Sequence, residues 1–146
     1  MNRLIVLIHL LAVIVWVGGM FFAHVCLRPV AAAQLPPPQR LPLLAAVLGR
    51  FFVAVGVALV LLWGSGLVRF AQVGAAIPAH WHAMLGLGSV MTVIFAVIVL
   101  RFYPRLRPAL AAQDWPQAGK AMNSIRVLVL VNLILGVATV AVAMLG

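Results

Sequence analysis

Apolar residues gather into four runs along this chain, each close to the length a helix needs to cross a bilayer. Apart from glycines, Leu4 to Leu27 is broken only by His9 and His24, and Phe51 to Val68 only by Ser65. Ala83 to Leu100 carries Ser89 and Thr92, and Val127 to Leu145 carries Asn132 and Thr139. A transmembrane helix takes about 20 predominantly apolar residues. The pattern therefore predicts an all-α protein, an integral membrane four-helix bundle. It forms one domain over residues 1–146, with spans at about 4–27, 47–70, 79–101 and 125–145. The first run is too long for a signal-peptide core of about 7 to 15 residues. No A-x-A site follows it, and Ala23, His24 and Val25 before Cys26 do not make a lipoprotein cleavage box. It is expected to be retained as a span.

Polar and breaking residues punctuate the segments between the runs. Residues 28–50 hold Pro36, Pro37, Pro38 and Pro42, which predicts a stiff, extended connection. Residues 69–79 form the loop at the other end, with Pro78 suited to the first turn of the third helix. Asp114, followed by Trp115 and Pro116, reads as the N-cap of a short interfacial helix leading into the fourth span.

Composition agrees with the pattern, since 66% of residues are hydrophobic, 8% are charged and the mean hydropathy is +1.25. Charge adds an orientation. Arg28, Arg40, Arg50, Arg101, Arg105, Arg107, Lys120 and Arg126 fall at one end of the expected bundle, against Arg3 and Arg69 at the other. Basic loops stay in the cytoplasm, so both termini are expected to face the periplasm of a bacterial inner membrane. The net charge of +9 then reflects topology, helped by anionic lipid, and not nucleic-acid binding. No basic segment is interleaved with aromatics to hold a nucleic acid.

The reactive side chains narrow the chemistry further. Asp114 is the only acid, so a carboxylate dyad, an intramembrane carboxylate proton relay and an oxygen-ligated hard-cation site are excluded. Ser65, Ser89 and Ser124 have no acid and base around them for hydrolysis, and the single Cys26 makes neither a disulfide nor a thiolate cluster. Imidazole, thioether, indole, guanidinium and amide remain. Those groups suit haem or copper.

A histidine at membrane depth needs a partner, which makes it a functional candidate. His9 in the first span and His82 at the head of the third lie toward the same end of the bundle. One such histidine alone is as well explained by a neutral imidazole bonded to a neighbouring carbonyl. His24 lies about 22 Å from His9 along the same helix, at 1.5 Å per residue, and cannot share its site. In the third helix His80 and Met84 stand one turn apart on one side, while His82 points elsewhere. If His82 faces His9, a bis-histidine haem b follows. If His80 and Met84 do, the set fits a soft Cu(I) site or His–Met haem. Plain helix packing is the alternative for Met20, Met84 and Met91. Trp16 shares the face of His9 and, with Trp63, suits the wall of a macrocycle, while glycines in all four spans offer it space. Arg3 and Arg69 are placed to meet haem propionates, or to snorkel to the interface.

The segment His9-Leu10 through Trp16-Val17-Gly18-Gly19, the Arg28-Pro29 exit, Trp81-His82-Ala83-Met84, and Ile125-Arg126 through Asn132-Leu133-Ile134-Leu135-Gly136 together resemble the small four-span members of the CopD superfamily. That superfamily is named for copper resistance and includes the HemJ-type protoporphyrinogen oxidases. The resemblance spans nearly the whole chain and implies haem b binding through a first-span histidine, which His9 matches. In the HemJ type a lysine stands two residues after the third-span histidine. Here Met84 occupies that place, so the resemblance carries haem binding and not protoporphyrinogen oxidation.

These readings converge on a haem b-binding inner-membrane protein with an electron-transfer or redox role near the periplasmic face, as a haem-dependent oxidoreductase would have. His9 and His82 are the expected axial ligands, with Met84 or His80 in reserve. Copper import or handling through His9, His80 and Met84 is the alternative, and a structural subunit of a respiratory complex the third. Expected partners are the bilayer, a redox protein or quinone, and a second copy of the chain.

Overall fold

A computed structural model describes residues 2–146 and consists of four long helices joined by short turns. They are α1 (Arg3–Gln34), α2 (Pro37–Val73), α3 (Ala79–Ala111) and α4 (Trp115–Leu145), each apolar and long enough to cross a membrane. The protein is an all-α four-helix membrane bundle, as its apolar runs predict. Many of its large apolar side chains face outward, among them Leu4, Val53, Val60, Val93, Leu100 and Ile134. That is the arrangement lipid requires, because hydrocarbon is no worse a neighbour for leucine than another helix.

The turns are much tighter than the sequence pattern suggests. The segment 28–50 is not an extended connection: α1 continues to Gln34, α2 begins at Pro37, and only Leu35 and Pro36 adopt extended backbone. The prolines explain this. Pro37 and Pro38 occupy the first turn of α2, where no N–H partner exists to be lost, while Pro36 and Pro37 favour extended backbone in the residues before them, Leu35 and Pro36. Pro42 sits inside α2, where the bundle tolerates one missing hydrogen bond. At the far end α2 runs on to Val73 and stops at Gly74, whose φ of +66° is left-handed backbone that suits glycine. Pro78 precedes α3 in extended conformation and caps it from outside its first turn.

Between α3 and α4 the N–H of Asp114 donates to Ala109 O at 2.9 Å and that of Gln113 to Leu110 O at 3.1 Å. This is the paired capping pattern usually built around a glycine, here with Gln113 in the left-handed position at φ +55°. Asp114 then caps α4 as expected, its Oδ1 accepting from the N–H of Gln117 at 3.3 Å. The helix it opens is one unbroken rod of 31 residues rather than a short interfacial helix followed by a span.

Packing is uneven along the bundle. Helix α1 lies along α2, α3 lies along α4, and α4 also meets α2 and the middle of α1. Over Asn2–Val13 the first helix packs substantially on α2 alone, with contacts to α4 developing from Ile14–Gly18 onward. The backbone widens to π-helical turns at Ile14–Gly18 and Phe22–Leu27 in α1 and at Ile98–Phe102 in α3. The core concentrates toward the Leu35–Pro36 and Ala112–Asp114 turns, where Leu44, Leu48, Leu106, Ala118, Met122 and Ile125 are buried. Edge-on aromatic contacts link Trp16 to Phe95, Phe95 to Phe52 and Phe52 to Tyr103, and the Tyr103 hydroxyl donates to Ala45 O at 3.0 Å. Deeper in the bundle Asn132, 1% exposed, donates from Nδ2 to Met91 O at 3.1 Å. Its Oδ1 has no partner.

Candidate functional site

Where α1 leaves α3 and α4, the bundle opens into a cavity of about 300 Å³ walled by all four helices. That volume lies at the lower end of the range for small-molecule and cofactor sites, roughly 300–1,000 Å³. The walls are overwhelmingly apolar. Their chemistry comes from His9 on α1, Arg69 on α2 and Met84 on α3, with Trp16, Trp63 and Trp81 as flat surfaces.

His9 is held by a two-step hydrogen-bond chain. Ser65 Oγ donates to Leu62 O at 3.1 Å, one turn back on α2, and the same oxygen lies 2.9 Å from His9 Nδ1. A hydroxyl has one hydrogen, and its direction sets the tautomer. With that hydrogen on Leu62 O, Nδ1 carries the imidazole proton and donates to Ser65, which leaves Nε2 with a free lone pair. This is how metal-binding histidines are commonly oriented: the far nitrogen is anchored so that the near one is presented. The ring rests over Gly66, where an added Cβ would lie 3.6 Å from His9 Cε1. Ser65 is 8% exposed, so the anchor is sheltered.

The remaining walls are pinned in their turn. Trp63 Nε1 donates to Thr92 Oγ1 at 3.1 Å, and Thr92 donates to Gly88 O at 2.7 Å. Arg69 stacks its guanidinium over Trp81, 5.3 Å from the ring centre, and so stands at the cavity margin with its charge partly satisfied by an aromatic face. Gly88 on α3 has nothing within 4 Å of where a Cβ would sit, so that stretch of wall is recessed. Met91 and Met144 add thioethers to that of Met84.

Of the residues singled out from sequence, the cavity brings together His9, Trp16, Trp63, Arg69 and Met84. His82 is exposed and meets Phe70, a residue of the cavity wall, edge-on at 6.1 Å between ring centres, without itself lining the cavity. His80 packs beside Gly146 at the end of α4. Arg3 is exposed and is not among the described residues lining the cavity. The third helix thus turns its Met84 side toward His9. His24 lies at the opposite end, within reach of the charges of Arg28 and Arg126. Sequence reasoning gives Ser65 and Trp81 no place in the site. Ser65 had a usable signal, being a polar residue in the second run at a depth matching His9 in the first.

Among the described residues no three His, Cys, Asp or Glu side chains converge in a metal-binding group. The donor set at the cavity is instead one oriented imidazole and a group of thioethers. That set fits the iron of a haem, which takes a histidine and a methionine as axial ligands, and it fits soft Cu(I). No protein-family model, curated protein or solved structure matches this chain significantly.

Proposed function

We propose that this protein binds haem b in the four-helix cavity and uses it for electron transfer or a redox reaction in a bacterial inner membrane. The observation that carries the reading is the anchored His9, bonded through Nδ1 to Ser65 so that Nε2 is the nitrogen left for a ligand, in a cavity also lined by Met84. His9 and Met84 would hold the iron, Trp16, Trp63 and Trp81 would flank the macrocycle, and Arg69 would meet a propionate. Such a haem supplies one-electron chemistry. The protein's part is to fix the imidazole tautomer, exclude water through apolar walls and neutralise one carboxylate. Kinship with the CopD superfamily belongs to the same proposal and rests on the His9 to Gly19 and Trp81 to Met84 segments. The electron partner is then a quinone or a redox protein.

Protein purified in mild detergent is expected to show a Soret band and reducible α and β bands from non-covalent haem, since the chain has no C-x-x-C-H attachment motif. His9→Ala should abolish haem retention and Met84→Leu should shift the spectrum, while His82→Ala and His24→Ala leave it unchanged. A normal spectrum in His9→Ala would overturn the assignment. Copper handling is the second reading, favoured by the three thioethers of Met84, Met91 and Met144 around the same cavity as His9. Stoichiometric copper without a Soret band would select it.

The proposal also places both termini in the periplasm, because eight of the ten basic residues lie at the other end. In a Cys26→Ala background, cysteines at Gln39 or Gln113 should resist a membrane-impermeant thiol reagent in intact cells. Cysteines at Gln72 or Ala75 should react. The reverse pattern would put the His9 cavity on the cytoplasmic side.

A further inference from the structure

A second, smaller cavity of about 40 Å³ lies at the end of the bundle opposite His9, in the seam between α1, α2 and α4. Its apolar walls include Leu27, Leu44, Leu48 and Ile125, and its polar lining is His24, Arg28 and Arg126. All three polar residues are half-buried. His24 lies in the widened Phe22–Leu27 turn, a backbone feature frequent at functional sites.

The cluster has no counter-charge from the protein's side chains. Arg28 feels the charges of both Arg126 and Arg40, and His24 those of Arg28 and Arg126. The one acidic side chain, Asp114, caps its own helix through Gln117. Arg126 is nevertheless held in place. Its Nε and one terminal nitrogen both donate to Asn123 Oδ1, at 3.2 and 3.0 Å, which fixes one edge of the guanidinium and leaves the other available. Arg40 similarly donates to Leu35 O at 3.4 Å. Like charges collected partly out of water repel, and the arrangement becomes favourable when an anion joins them. The guanidinium fork matches phosphate in particular.

We propose that this seam is a phosphate-binding site formed by His24, Arg28 and Arg126. Its location favours the headgroup of an anionic phospholipid as the source, because leucine and isoleucine walls lie directly beside the cations and suit the adjoining glycerol and acyl segments. Basic pockets between helices near the membrane surface recognise lipid headgroups in this manner. Free inorganic phosphate offers the same chemistry without the apolar part. The site stands whether or not the His9 cavity holds a cofactor.

Native mass spectrometry of the detergent-purified protein, with equal phosphatidylglycerol and phosphatidylcholine added, tests the site directly. Phosphatidylglycerol should be retained preferentially. Arg126→Gln should weaken its retention about tenfold, the loss expected for one charge-assisted group. The double variant R28Q/R126Q should remove the preference, and Arg126→Lys should give an intermediate result because it keeps the charge but loses the fork. R105Q/R107Q, which removes two exposed charges from the same end, should bind like the parent. Calorimetry with inorganic phosphate forms the second arm. Binding of phosphate with no lipid preference, lost in Arg126→Gln, would keep the site and make its source soluble. Equal losses in both double variants would show diffuse attraction and overturn the proposal, as would no binding of either ligand. Circular dichroism checks the fold of each variant, and should R28Q/R126Q fail to fold, the single Arg126→Gln decides.

Discussion

Leu106 and Leu67 are both leucines in long helices, yet the first is 0% exposed and the second 58%. The difference runs through the whole bundle. Around Leu106, side chains from α2, α3 and α4 interlock into a continuous core. Around Leu67 the helices diverge, and the cavity that results is stitched across its edges by His9 with Ser65, Trp63 with Thr92 and Arg69 with Trp81. Inside a bilayer, dispersion contacts and hydrogen bonds hold helices together, because the lipid removes most of the hydrophobic driving force between them. A void there forfeits contacts that could otherwise have been made. The well-packed end acts as the clamp that lets the other end stay open, and the open end holds the oriented imidazole.

The largest expected contrast is in stability. Leu106→Ala should cost about 2–5 kcal/mol, as large-to-small changes at buried sites do, and Leu67→Ala should fall well below that range. Reversible unfolding in mixed micelles measures both, and similar losses would erase the distinction between the ends. Glycines sharpen it further. At the closed end, a Cβ on Gly49 would lie 2.6 Å from the Tyr103 hydroxyl. Gly49→Ala should displace that hydroxyl from Ala45 O and cost about 1 kcal/mol, the net value of one such hydrogen bond. At the open end Gly88→Leu should leave the melting temperature near that of the parent while filling the cavity and blocking the proposed haem uptake. A large drop in melting temperature for Gly88→Leu would mean that the recess is closed in solution. The smallest effect concerns the turn that joins α3 to α4 at the clamp. Gln113→Gly relieves left-handed backbone and should stabilise the protein by about 0.5–1 kcal/mol, less the extra freedom glycine gives the unfolded chain.

Much of this architecture could be read from the chain. Four apolar runs with few interruptions leave little choice but four membrane helices, and their alternating direction puts His9, Ser65, Arg69 and Met84 at one end. The proline-rich segment misleads because Pro36, Pro37, Pro38 and Pro42 together read as breakers of the whole stretch 28–50. In a helix's first turn they are compatible, so α2 absorbs Pro37 and Pro38 and the connection shrinks to Leu35 and Pro36. The rotation of α3 was not legible for a different reason. Between Ala83 and Leu100 nearly every position is apolar, so periodicity carries no information about which face turns inward. The preference for His82 over Met84 rests on matched depth and not on any signal of which face turns inward. Ser65 is weighed in the sequence only for hydrolysis, because a lone hydroxyl shows no anchoring role until its neighbour is known to be an imidazole.

The rotation that sequence left open is governed by a side chain far from the histidines. Asn132 of α4 grips the backbone of α3 at Met91, and an amide hydrogen bond made in so dry an environment acts like a key in a slot, fixing the azimuth of the rod. Met84 lies seven residues before Met91, two helical turns away and on nearly the same face. Holding Met91 against α4 therefore aims Met84 at the cavity and turns His82 aside. Which third-helix side chain lines the His9 cavity is in this sense set two turns deeper, where Asn132 holds Met91.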